Sequence, residues 1–275
     1  FVGIVGFFPK TAFYYGTTLL VPVGIAVILL GIRGAYYAFA TYGKTKQKRY
    51  TFLYGAAGLL LPASLSIVFT ISEGGFVSIA HGEPQLDYWT LFTSPLTWGI
   101  VILSITALLY ISAVFLTWYA DQAKDERASQ LLRKYALTWA SPTIIAAVGI
   151  IYMLRSHNPT HYANLLQLWW MFAISLIFFL GTVWLLIQKR NYGLAFTLLV
   201  AQFAFAFYGY GFAHYPYLLY PHLTIYDSFT NKAMAISLIS AFIAGLALLI
   251  PSLYLLLKLF LFNKDYVRGQ ASRHY

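Results

Sequence analysis

The stretch TSPLTWGIVILSITALLYISAVFLTWYA, residues Thr93–Ala120, carries no charged side chain from end to end. A helix rises about 1.5 Å per residue and the hydrocarbon core of a bilayer is about 30 Å thick, so about 20 such residues complete a crossing. Working outward, comparable apolar runs occupy Thr17–Tyr42 and Tyr50–Ser72 upstream, and Tyr135–Arg155, Leu166–Gln188, Tyr192–Phe212 and Met234–Phe262 downstream. Short polar connections separate them. The expected fold is all-α: a polytopic transmembrane helix bundle of about seven complete spans, forming a single integral membrane domain over 1–275. Residues 1–8 are too short to cross and lack an initiator Met, so they read as the end of a truncated helix whose N-terminal neighbours are missing.

Composition supports the same solvent. Only 9% of residues are charged against 60% hydrophobic, too little polar surface to keep a soluble domain dispersed. No connection is long enough for a soluble domain, and the absence of cysteine removes disulfides and thiolate metal sites. The net charge of +10 is topological. Lys44, Lys46, Lys48 and Arg49, then Lys124, Arg127, Arg133 and Lys134, then Lys189 and Arg190, and finally Lys264, Arg268 and Arg273 fall in alternate connections. The positive-inside rule assigns these to the cytoplasm, including the tail 263–275, and argues against a nucleic-acid surface. The intervening connections hold Arg155 and Lys232 as bases, and one carries Glu73, Glu83 and Asp87. The seven tryptophans fall near span ends, where an amphipathic ring favours the headgroup layer.

Ionisable groups inside spans are the first candidates for chemistry, because desolvating them is costly. Arg33 lies deepest, within ILLGIRG. It either snorkels or pairs with a carboxylate on a neighbouring helix, or it holds an anionic cofactor group or tunes a proton route. Lys258 reads as a snorkelling side chain near a span end. No Asp or Glu falls inside an expected span, which weakens a self-contained proton-coupled carrier. Gln202, Ser64, Ser66, Ser104, Thr106 and Ser112 read as interhelical hydrogen-bonding groups. None of the six histidines is expected at mid-span, and Met153, Met171 and Met234 lie near span ends, a pattern that argues against a haem buried in this chain. Pro62, Pro142 and Pro251 interrupt spans and remove backbone donors.

The stretch 208–230, YGYGFAHYPYLLYPHLTIYDSFT, combines two prolines, two histidines, six tyrosines and one acid. It is too apolar for a free loop and too broken for a helix, so it reads as an outer re-entrant-like loop. Non-helical backbone at that depth must pack on protein or line a wet cavity. His214, Tyr215, Pro216, Pro221, His222 and Asp227 are its packing or subunit-facing candidates.

Phe212–Thr230, with Tyr-Pro-Tyr followed by Pro and then Leu-Thr-Ile-Tyr-Asp-Ser, resembles the final outer loop of subunit II of the cytochrome bd-type quinol oxidases. Gly6-Phe-Phe-Pro9 with Tyr14 and Tyr15, Leu29–Gly34 with Arg33, and Phe92-Thr-Ser-Pro95 before a Gly99-bearing span add to the resemblance in the family's order. The resemblance implies a subunit of a terminal quinol:oxygen oxidoreductase in a bacterial or archaeal plasma membrane, which oxidises quinol and reduces O2 to water. Catalytic groups and metal ligands are then expected on the partner, the haem-bearing subunit I, with haems b and d there and none ligated here. A quinone bound on this chain, a small single-helix accessory subunit and contacts with membrane lipid are further expectations. Arg33 matches the family's buried arginine and is its proton-path or electrostatic candidate. Two other classes stand beside this one. A secondary transporter or permease shares the topology but usually places discontinuous helices and polar groups at mid-membrane; an assembly or insertion factor fits the lack of catalytic groups but says nothing about 208–230.

Overall fold

Pro95 opens the long helix that the sequence marks out. Its missing N–H falls where no intrahelical partner exists, so it is tolerated in the first turn. In the computed structural model, which describes residues 6, 8–42, 47–80, 83–227, 232–256 and 258–259, the helices in chain order are α1 Pro9–Thr18, α2 Leu20–Tyr42, α3 Gln47–Ser72, α4 Tyr88–Thr93, α5 Pro95–Gln122, α6 Glu126–His157, α7 Pro159–Gln167, α8 Trp169–Gln188, α9 Tyr192–His214 and α10 Lys232–Leu256. Two antiparallel hairpins interrupt them: β1 Val77–Ala80 with β2 Glu83–Leu86, and β3 Tyr217–Leu219 with β4 Leu223–Thr224. Among the described residues six helices are long and apolar enough to cross a membrane, and α1 with α2 makes a seventh if that bent pair counts as one span. The fold is thus an all-α polytopic bundle.

Helix α5 ends at Ala123, Lys124 takes a left-handed turn at φ 60°, and the Asp125 carboxylate accepts from Ala128 N at 2.9 Å to start α6. The two helices run back to back. Lipid tails are as apolar as leucine, so apolar burial alone does not drive such pairs together. Close approach does, and small Ala113, Ala136 and Ala140 are buried around Tyr110, Val114, Phe179 and Leu199 in the central cluster. Helix α9 lies against α8 and α5, and α3 lies against α2 and α5. Helix α10 stands apart: 6% of its most apolar window is buried, against 22–33% for the other five spans.

Several boundaries differ from the sequence expectation. The first run does not start at Thr17 as one helix; α1 and α2 are bent by 73° at Leu19. Helix α6 runs beyond Tyr135–Arg155 at both ends, because the Asp125 cap precedes it and Asn158 ends it. The run from Leu166 is split, with Pro159–Gln167 a separate short helix capped by Asn158. Residues 208–214 of the expected loop are the last turns of α9, since glycines such as Gly209 and Gly211 are tolerated in membrane helices and no proline intervenes before Pro216. Residues 1–5 and 7 of the N-terminal stub, 228–230 of the loop and the tail 263–275 lie outside the described residues.

The two hairpins and α1 close one end of the bundle. Tyr220 N donates to Ser72 O at 3.0 Å, and the Tyr15 hydroxyl donates to Leu218 O at 2.5 Å. Beneath these bonds Ile71, Phe76, Leu91, Leu219 and Leu223 are buried together. The turn after α3 needs glycine: Gly74 sits at φ 83°, and a Cβ there would strike the Tyr220 carbonyl.

Candidate functional site

Beneath the hairpins, the ends of α3, α7 and α9 bring an acid, two imidazoles, a phenol and an amide together. Glu73 follows the last residue of α3 and is 1% exposed. Asn158, at the N-cap of α7, has two tasks. Its Oδ1 accepts from His161 N at 3.1 Å and fixes the helix start, while its Nδ2 donates to Glu73 Oε2 at 3.1 Å. His161, in the first turn of α7, faces the Glu73 carboxylate with Nδ1 at 2.9 Å and the Tyr210 carbonyl with Nε2 at 3.2 Å. Both neighbours are acceptors, so each ring nitrogen donates. Tyr210 and His214 are four residues apart on one face of α9. The Tyr210 hydroxyl donates to Glu73 Oε1, and His214 Nδ1 lies 3.8 Å from the same oxygen. The imidazoles of His161 and His214 are 5.1 Å apart, and Tyr210 stacks parallel to His214.

The charge state follows from these partners. Burial pushes the Glu73 carboxyl up, but the His161 hydrogen bond and charge, with the Tyr210 hydroxyl, outweigh it and hold the group below the usual carboxylate range. Glu73 with His161 is therefore a buried ion pair. Desolvating each ion costs several kcal/mol, which only well-formed hydrogen bonds offset, and removing one partner of such a pair costs about 3–5 kcal/mol.

Below the cluster, a cavity of about 410 Å³ extends among α3, α5, α6, α7, α8 and α9. Its wall is mostly Ile, Leu, Phe, Ala and Val; Thr143, Ser175, Gln202 and Tyr210 are the polar lining residues. Ser175 Oγ donates to the Gln202 carbonyl at 2.9 Å, tying α8 to α9.

Of the residues singled out in the sequence, His214 is the one that joins the cluster. Tyr215, Pro216, Pro221, His222 and Asp227 are brought together instead in and around the second hairpin. The hydroxyls of Tyr215 and Tyr226 bond to each other, the Pro216 carbonyl accepts from Ile225 N at 2.9 Å, and Pro221 is the middle residue of the turn between β3 and β4. His222 Nε2 reaches Val77 O at 3.3 Å, linking the two hairpins. Asp227 accepts from Thr224 N at 2.6 Å and from its hydroxyl at 2.8 Å, which holds the Asp227 carboxyl below its ordinary range. Arg33 is elsewhere. Half-buried on α2, it donates through Nη2 to the Tyr54 hydroxyl at 3.3 Å and lies 4.9 Å over that ring, a neutral partner on α3 where a carboxylate was one expectation. Ser64 is interhelical as expected, donating to Pro22 O at 2.7 Å, whereas Ser66 and Thr106 bond within their own helices.

Sequence reasoning missed Glu73, Asn158, His161 and Tyr210. Asn158-Pro159 does announce a capped helix, which puts His161 in its first turn. Nothing local places Glu73 beside it across 88 residues.

The comparisons with known proteins agree with one another. The family model described as cytochrome bd terminal oxidase subunit II matches residues 1–260. A relative from Bacillus subtilis (strain 168), the putative cytochrome bd menaquinol oxidase subunit II, is 28% identical over 98% of this chain and 80% of its own length. A chain from the structure of bd oxidase from Geobacillus thermodenitrificans superposes with a TM-score of 0.84 at 64% identity, covering 95% of this chain and 79% of that one. The chain belongs to the family of cytochrome bd terminal oxidase subunit II.

Proposed function

We propose that this chain is the haem-free large subunit of its quinol oxidase, a scaffold that packs against haem-bearing subunit I and contributes to proton access. Family membership makes it part of an oxidoreductase complex and a multi-pass protein of the bacterial plasma membrane. The observation that carries the haem-free reading is the wall of the cavity. Among the described residues no His or Met lines it, and the one tyrosine that does, Tyr210, has its hydroxyl committed to Glu73. Haem iron held in such a cavity would ordinarily need His, Met, Cys or Tyr as an axial ligand. The apolar wall does suit a quinone's hydrocarbon chain, which makes it the place where a quinone on this subunit would sit.

The scaffold reading is supported by α10, whose Ile236, Ile239, Phe242, Ile243 and Leu249 are exposed. Lipid or subunit I, and a single-helix accessory subunit where one is present, would cover that face. Arg33 supplies the electrostatic candidate, a half-buried cation whose described contacts are uncharged. Quinol oxidation and O2 reduction to water then take place on subunit I. A permease reading gains no specific support, since the cavity wall is mostly apolar.

The test is to purify the complex through a tag on this chain, record reduced-minus-oxidised spectra and measure quinol-supported O2 uptake. Haem bands that copurify with a second large chain, and are absent when this chain is expressed alone, are the expected result. Haem retained by this chain alone, or solute transport by it, overturns the reading.

A further inference from the structure

The Glu73 pair is fully satisfied by His161, Asn158 and Tyr210. His214 is the surplus member. Its Nδ1 stands 3.8 Å from Glu73 Oε1, beyond hydrogen-bond range, so it faces the carboxylate without bonding to it. A second imidazole placed beside a complete ion pair adds desolvation cost without adding a bond, unless something else is bound there. We propose that Glu73, His161 and His214 form a binding site for one divalent transition-metal ion of the zinc class, with the Tyr210 hydroxyl as the neighbouring oxygen donor.

Four features carry this. One ligand atom from each of the three residues lies within 4.8 Å of the other two. Tetrahedral bonds of about 2.0–2.1 Å put ligand atoms about 3.3 Å apart, and the observed 2.9 Å and 3.8 Å from Glu73 to the two histidines bracket that spacing. The supporting contacts are those a metal site needs. His161 Nε2 donates to the Tyr210 carbonyl, which aims Nδ1 at the carboxylate, and Asn158 holds the other carboxylate oxygen. The ligands come from three packed helix ends, so the geometry is fixed by the bundle. The donor set also selects the ion. Two imidazoles and one carboxylate suit zinc-class ions better than magnesium or calcium, which take oxygen ligands, and no thiolate is available in a chain without cysteine. Binding would replace the proton that His161 Nδ1 shares with Glu73, so one metal enters as one proton leaves. This inference stands apart from the haem-free reading above.

The test uses the intact purified complex, stripped with a chelator, dialysed against micromolar Zn2+, washed, and assayed for zinc per haem. The wild type is expected to hold about one zinc more per complex than His214→Gln, a variant that leaves the Glu73–His161 pair in place. Asn158→Ala is expected to weaken binding about 10- to 100-fold through the lost carboxylate support. Zinc K-edge absorption fine structure of the wild type should show a nitrogen/oxygen shell containing two imidazoles. Equal zinc in wild type and His214→Gln overturns the proposal. If His214→Gln does not assemble, the wild-type spectrum decides: two imidazoles support the site, and any other shell, or no retained zinc, overturns it.

Discussion

Replacing Glu73 by Gln keeps the shape of the side chain and removes its charge, so it isolates what the buried pair contributes. Three donors, from His161, Tyr210 and Asn158, converge on the two carboxylate oxygens. A glutamine offers one oxygen and one NH2 group, so the three-donor arrangement cannot be kept: in one orientation the amide faces the Asn158 donor, and in the other the Tyr210 hydroxyl must turn from donor to acceptor. That orphaned contact alone costs about 1–3 kcal/mol, and leaving His161 without its counter-ion raises the total to about 3–5 kcal/mol. Chains of 150–250 residues lose about 2–4 °C of melting temperature per kcal/mol. For Glu73→Gln a fall on the order of 10 °C is therefore expected, read by fluorescence-detected size exclusion of the complex after heating, with chelator present to keep metal out of the comparison. The double variant Glu73→Gln, His161→Gln removes both charges and should lose less than the sum of the single variants. A Glu73→Gln complex that melts within about 2 °C of wild type, or a strictly additive double variant, would refute the buried-pair account.

Gly74→Ala forces an L side chain to φ 83° and drives its Cβ into the Tyr220 carbonyl, so the hairpin end should loosen at a cost above the roughly 1–2 kcal/mol of left-handed strain; faster proteolysis within 215–227 checks this. Ala136→Leu overfills the α5–α6 contact and should destabilise by about 1–3 kcal/mol, visible as earlier thermal loss of the complex. Asp227 has a folded carboxyl held below its unfolded value by Thr224. Its contribution is therefore present above about pH 4 and lost as pH falls through the lower folded value; Asp227→Asn should remove that acid-side change in hairpin proteolysis. Arg33→Gln should lower quinol-supported O2 uptake at unchanged haem content if the cation serves proton access. A fall in both assigns it to assembly, and no change in either removes it from the functional residues.

The spans were legible because lipid imposes a one-dimensional rule. Run length and charge spacing suffice to find Pro95–Gln122 or Trp169–Gln188, whatever lies beside them. Breaks inside a run were harder to read. Leu19 marks a 73° bend without glycine or proline at that position, and the first run looks continuous across it. Proline gave little guidance in the other direction, since Pro62, Pro142 and Pro251 all lie within intact helices. The Tyr-Pro pairs mark the 208–230 stretch as irregular, yet the irregular backbone begins seven residues later than the composition suggests. Tyr208–His214 completes α9 and its composition is not a helix breaker there.

The cluster escaped the sequence for a different reason. Each member has an ordinary local explanation: Glu73 as a loop acid, Asn158 as a cap, His161 and His214 as residues near span ends. What makes them a site is the meeting of three helix ends, and that depends on the lengths and rotations of α3, α7 and α9 together. One residue inserted into α9 ahead of Tyr210 would turn its last turns by about 100°, carrying both the Tyr210 hydroxyl and His214 away from Glu73. The ion pair would then lose a donor and the second imidazole would face elsewhere. Apolar burial does not distinguish these rotations when lipid is the solvent. The polar contacts do, which is why a site of this kind is specified by the folded arrangement and leaves no periodic trace along the chain.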